Sequence, residues 1–163
     1  VFGASFGFLL GMISMFASAL LTGGIGPWLG YQVFAAAWIG LLAGSLPKKT
    51  RGVNEILLLI AFGIFASGFF GVLMDLQFWP WALGSNTQLS YLPTGDISEN
   101  LARFVTFHFA TAMAWDVPRA IFTSTLIAIT GTAVLSALRR THTRAAFMAP
   151  IVFSDRDSNE RVK

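Results

Sequence analysis

The chain contains no cysteine. That removes disulfide bridges, thiolate nucleophiles and sulfur metal ligands together. Charge is scarce too: only 12% of residues are Asp, Glu, Lys or Arg, about half the share in an ordinary soluble domain. With two histidines and no cysteine, there is no Cys/His cluster of metal-site spacing. No G-x-x-x-x-G-K-[ST] or H-E-x-x-H stretch occurs, so the chain has no P-loop or zincin signature. Its acidic residues ahead of the tail are Glu55, Asp75, Asp96, Glu99 and Asp116, and none adjoins a nucleophile, which argues against hydrolysis. Nothing resembles a carbonyl selectivity filter or a ring of charges.

What is present is apolar. Hydrophobic residues make up 55% of the chain, 16 of them Phe, and the mean hydropathy is +0.66. They gather in runs of about 20 residues, the helix length that spans roughly 30 Å of hydrocarbon. The fold class expected is all-α, a polytopic transmembrane helical bundle. Spans are read over residues 3–22, 28–46, 54–75 and 118–138, with Gly23-Gly24-Ile25-Gly26-Pro27 breaking the first from the second. Pro118 suits a first helical turn. Residues 76–94 read as a long wet connection rich in Trp, Pro, Gly, Ser and Asn. Residues 97–114 are apolar but carry Glu99, Arg103 and His108.

Lys and Arg set the expected orientation. Lys48, Lys49 and Arg51 fill one short loop, Arg139, Arg140 and Arg144 follow the last span, and Asp96 is the only charge over 76–97. The positive-inside rule places the two basic segments in the cytoplasm and 76–97 outside. Residues 97–114 then lie outside as an interfacial or re-entrant helix, since a crossing there would put Arg139 and Arg140 on the wrong side. The basic residues flank apolar helices, so the pI near 9.8 is topology information and not a nucleic-acid patch. The expectation is a multi-pass plasma-membrane protein with a cytoplasmic C-terminus, a membrane domain over 1–149 and a polar tail over 150–163. The chain opens on Val1-Phe2-Gly3 and enters an apolar helix without a basic n-region. This is no signal peptide; it reads as a fragment that has lost upstream residues.

Each span carries small residues four apart: Gly3, Gly7, Gly11; Ala36, Gly40, Gly44; Gly63, Ser67, Gly71; and Ser124, Ala128, Thr132, Ser136. Such ridges let helix backbones approach in lipid. Bundle packing accounts for them, and one ridge docking a partner protein is the sharper alternative.

The chemistry-bearing residues collect on the side assigned as outer. Trp115-Asp116-Val117-Pro118-Arg119 puts a carboxylate and a guanidinium at the mouth of a helix with no other charge as far as Leu138. Ionisable groups at the edge of hydrocarbon mark a site or a paired lock. Spaced three apart, Asp116 and Arg119 share a helix face and could offer a polar ligand one acceptor and one forked donor. The alternative is an intrahelical pair or an N-terminal cap by Asp116. A cation at a positive helix terminus is unfavourable, so Arg119 needs a reason. Trp28 and Tyr31 fit an aromatic belt, whereas Gln32, just inside a span, needs partners. Asp75, Gln77, Trp79 and Trp81 either end a span within that belt or, with Trp115, wall a cavity suited to an organic ring system. His108 is read as an interfacial histidine in preference to a proton-responsive ligand.

The chain resembles the substrate-binding (S) component of energy-coupling factor transporters, a class of ABC transporter, in its actinobacterial form. The stretches that carry the resemblance are Phe6-Gly7-Phe8-Leu9-Leu10-Gly11, Gly24-Ile25-Gly26-Pro27-Trp28 with Gln32, Ala43-Gly44-Ser45-Leu46-Pro47, Phe78-Trp79-Pro80 and Trp115-Asp116-Val117-Pro118-Arg119-Ala120. It runs from about residue 1 to 149, carried by order and spacing more than by any one motif. The resemblance implies a protein of six helices, two of them preceding Val1. It implies capture of a vitamin or related micronutrient from outside, without catalysis or cofactor. Delivery would follow by toppling against a transmembrane coupling (T) component driven by two ABC-type ATPases. It transfers ligand binding to Asp116 and Arg119, and more loosely to Trp28, Gln32 and Trp79. Two rival expectations stand beside it: a small intramembrane enzyme with Asp116 or His108 as base, and a structural subunit in which Asp116 and Arg119 form a lock.

Overall fold

The computed structural model describes residues 1–84 and 87–144. The polar tail expected over 150–163 lies outside the described residues. The described chain is all-helical: α1 (Ala4–Thr22), α2 (Leu29–Ser45), α3 (Val53–Ala82), α4 (Ile97–Thr111) and α5 (Met113–Arg144). α1, α3 and α5 are long and apolar enough to cross a membrane. α2 is equally apolar but has only 17 residues, about 26 Å at 1.5 Å per residue. Three helices thus reach spanning length where four were expected.

The α1–α2 hairpin is made by glycine. α1 closes at Gly23, whose φ of 69° favours a residue without Cβ, and the Gly24 N–H returns to Ala19 O at 3.0 Å. The two helices then run antiparallel with their small-residue ridges in register. A Cβ on Gly7 would lie 2.1 Å from Gly40 O, one on Gly40 would lie 2.0 Å from Gly7 O, and one on Gly44 would lie 2.4 Å from Gly3 O. Two of the four ridges are therefore spent on each other. α2 ends where Pro47 forces Leu46 into an extended conformation, ψ 151°.

α3 and α5 are the long members, with 30 and 32 residues. Both outrun the expected boundaries. α3 continues through Leu76–Ala82, which sequence reading gave to a loop. Pro80 sits in the last turn, so few helical bonds beyond it are forfeited, and Trp79 gains burial by staying helical. α5 starts at Met113, five residues before Pro118. The reason is that α4 runs into it almost without a break: Ala112 O accepts from the N–H groups of both Trp115 and Asp116 at 2.8 and 2.9 Å. Asp116 is therefore not a cap but lies inside the first turn, where a carboxylate complements the helix dipole.

The third ridge, Gly63, Ser67 and Gly71, faces α5. A Cβ on Gly63 would meet Thr123 and Ile127, and one on Gly71 would meet Asp116. The fourth ridge does not pack as its spacing suggested. α5 turns Asp116, Thr123, Ile127 and Gly131 toward α3, while Ala128, Thr132 and Ser136 are exposed.

α4 is a short amphipathic helix that packs on α3 and α5; with 15 residues it is not among the helices long and apolar enough to cross a membrane. Its Phe104 and Phe107 join Trp79 in a buried aromatic cluster. The Trp79 indole N–H donates to Leu89 O at 2.7 Å, and Arg103 donates to Gln88 O at 2.9 Å while pairing with Glu99. These bonds strap the segment before α4 across the end of the bundle.

Candidate functional site

The centre of interest is the α3–α5 seam near the α4 bend. Residues four apart on α3 are stacked on one face, so Ser67, Gly71 and Asp75 form one stripe. Each meets a polar residue of α4 or α5. The Arg119 guanidinium donates from Nη1 to Ser67 O at 3.1 Å and to Asp116 Oδ1 at 2.8 Å. Asp116 lies against Gly71. One turn further, Asp75 Oδ2 and His108 Nδ1 share a hydrogen bond of 2.8 Å. Three helices are thus tied by a ladder of polar contacts inside an apolar bundle. In hydrocarbon such contacts persist because the alternative is an unpaired polar group.

Burial separates the roles of the pair. Asp116 is 3% exposed, and its Oδ2 is buried without a hydrogen-bond partner. The carboxylate fits only because position 71 carries no side chain: a Cβ there would stand 1.9 Å from Oδ2. Arg119 keeps 38% of its side chain exposed. Its guanidinium lies over the Phe70 ring, 4.9 Å from the centroid, a cation–π contact strengthened by poor solvation. These contacts explain how a cation is held near a positive helix terminus.

Arg119 stands between two spaces. One is a cavity of about 400 Å³ lined by residues of α1, α2, α3 and α5, with Met15, Ile39, Phe62, Phe70 and Ile127 in its wall. Arg119 is the charged group in that lining, with Ser67 and Thr123 adding polar atoms. The volume lies in the range of small-molecule sites, which are mostly apolar with a few fixed polar groups. The other is a shallow, open depression along α5 lined by Trp115, Pro118, Arg119 and Phe122. Trp115 is 74% exposed.

The structure brings together Asp75, His108, Asp116 and Arg119. It places the remaining candidates elsewhere. Trp79 is 6% exposed, with its indole N–H committed to Leu89 and its ring edge-on to Tyr91 and Phe104. Trp28 precedes α2, folded over Gly26 and half-exposed. Gln32 lies in the first turn of α2 and is half-buried. α2 packs on α1 and α3 and not on α4 or α5, so Trp28 and Gln32 stand apart from the Asp116–Arg119 pair.

His108 is buried within the protein. It is 7% exposed and stacked on Phe104. Sequence reasoning missed Ser67, Phe70 and Gly71 as members of the site. Their signal was available: Asp75 continues the Gly63, Ser67, Gly71 spacing by one more step, which puts a carboxylate on a packing ridge. Among the described residues no group of three His, Cys, Asp or Glu could hold a metal ion. In comparisons with known proteins, the chain matches no family model, no curated protein sequence and no solved structure.

Proposed function

We propose that this chain is the membrane-embedded capture component of an energy-coupling factor transporter. It binds a vitamin or related micronutrient from the outer side and has no catalysis of its own. A transmembrane coupling component and two ABC-type ATPases would supply the energy for uptake. The motif order described above supports the assignment. So does a single structural observation: Arg119 is braced by Asp116, Ser67 O and Phe70 at the wall of an otherwise apolar 400 Å³ cavity. A guanidinium so braced loses little freedom when it takes a ligand oxygen. Arg119 is then the ligand contact. Asp116 orients it, since one carboxylate oxygen is spent on Arg119 and the other is sealed against Gly71. In this reading α2 completes a four-span arrangement, and the end bearing Lys48 and Arg139 faces the cytoplasm.

The test is native mass spectrometry of protein extracted gently from membranes. A stoichiometric small molecule is expected, with occupancy falling at least about tenfold in Arg119→Ala, the loss of one charge-assisted hydrogen bond. Full occupancy in that variant would remove Arg119 from the site. A second reading, the structural lock, is favoured by the internal bonding of Asp116. It predicts that Arg119→Ala lowers thermal stability and that no small molecule co-purifies.

A further inference from the structure

A second cavity lies at the opposite end of the bundle, far along α3 and α5 from Asp116. It measures about 340 Å³ and is walled by the α2–α3 loop, the start of α3 and the end of α5. Lys48, Arg51 and Arg139 line it against one carboxylate, Glu55. Counting side chains, three cations against one anion leave an excess of two positive charges. Arg139 and Glu55 are bonded to each other, so Lys48 and Arg51 carry that excess. Arg51 is held at the rim by donating from Nη1 to Lys48 O at 2.8 Å. α3 begins there at Val53 after Gly52, with no side-chain cap. Its first free N–H groups and the positive end of its dipole add to the same field. The floor is apolar, built from residues such as Leu58 and Leu135.

A cationic rim over an apolar floor at the end of three membrane-length helices matches one ligand chemistry: a phosphate joined to a hydrocarbon chain. Basic recesses between transmembrane helices recognise anionic headgroups in this way. We propose that this cavity binds the phosphate of an anionic phospholipid headgroup, with Lys48 and Arg51 as its contacts and the glycerol and first methylenes over Leu58 and Leu135. The Arg139–Glu55 pair is the fixed wall that positions the start of α3 against α5. The inference does not depend on what the Arg119 cavity holds.

The test compares lipid binding by the whole chain in nanodiscs of phosphatidylcholine with and without phosphatidylglycerol, read by native mass spectrometry as lipids retained per protein. Lys48→Gln with Arg51→Gln removes the proposed contacts and leaves Glu55 and Arg139 intact. Lys49→Gln with Arg140→Gln is the control, since it removes the same charge from neighbours that do not line the cavity. The expected result is retention of phosphatidylglycerol over phosphatidylcholine by the parent and the control, with a preference about tenfold weaker in the first variant. Equal losses in both variants would overturn the proposal, because diffuse surface charge would then explain the preference. So would a parent with no preference. A third arm adds inorganic phosphate to protein in neutral detergent. Thermal stabilisation by phosphate, without preference for phosphatidylglycerol, would assign the cavity to a soluble phosphate compound and overturn the lipid source.

Discussion

Gly71 gives the sharpest test of the polar seam, because the same helix supplies its control. A methyl group at position 71 would stand 1.9 Å from Asp116 Oδ2 and 2.4 Å from Cγ, whereas one at Gly68 meets nothing within 4 Å. In Gly71→Ala the carboxylate must move, and it cannot do so while keeping Arg119 at 2.8 Å. Overpacking alone costs about 1–3 kcal/mol. Loosening a charge-assisted bond from a carboxylate that is 3% exposed adds about 1.5–3 kcal/mol. A total of about 2.5–6 kcal/mol lowers the midpoint of thermal unfolding by about 5–24 °C in a chain of this size. Gly68→Ala should be neutral or slightly stabilising, since alanine is the better helix former by about 1 kcal/mol. Thermal unfolding in detergent, followed by loss of the monodisperse peak, measures both. The decisive comparison is a double-mutant cycle with Asp116→Ala. If the clash is with the carboxylate, the cost of Gly71→Ala should largely vanish in the Asp116→Ala background, a coupling of about 1–3 kcal/mol. The same cost in both backgrounds, or equal behaviour of positions 68 and 71, would refute the account of the seam.

Two further substitutions probe the rest of the bundle. Gly40→Ala aims a methyl group at Gly7 O, 2.0 Å away. A backbone carbonyl cannot rotate aside as a side chain can, so the α1–α2 hairpin must separate; we expect a loss of at least about 2 kcal/mol in the same unfolding assay, where a change within error would show that the hairpin tolerates a wider spacing. Trp79→Phe keeps most of the aromatic contact but deletes the donor to Leu89 O. The cost should be about 1 kcal/mol, with faster hydrogen exchange confined to residues 87–91; exchange that rises over α3 as well would mean that the indole holds more than the strap.

Element type and approximate position were legible because bilayer thickness, not tertiary context, sets the length of apolar runs. The ends were not. α3 extends through Trp79 and Pro80, and α5 back to Met113, because packing against α4 keeps those turns helical where composition alone reads as a loop. Asp116 and Arg119 stood out for the same reason that makes them costly: charge on an apolar helix. His108 did not, since a single histidine on an amphipathic helix carries no such contrast. Only the partner, Asp75, supplied 33 residues earlier, makes it part of the site.

Which face of each helix packs was the least legible feature, and the reason is physical. In water, burial of apolar area selects one face of a helix; in lipid both faces are apolar, and close approach and polar contacts do the selecting. Small-residue spacing therefore names candidate faces without choosing among them. α1 and α2 each offered one ridge, and both were used. α5 offered Ser124, Ala128, Thr132 and Ser136, yet it packs through the face that carries Asp116 and Arg119. The polar residues outrank the ridge because an unpaired carboxylate or guanidinium in hydrocarbon costs more than imperfect backbone contact. On α3 the two criteria coincide: Ser67, Gly71 and Asp75 are a small-residue ridge and a polar stripe together, and that face meets α5. An ionisable residue inside a span is thus the better register mark, and a ridge is informative when it contains one.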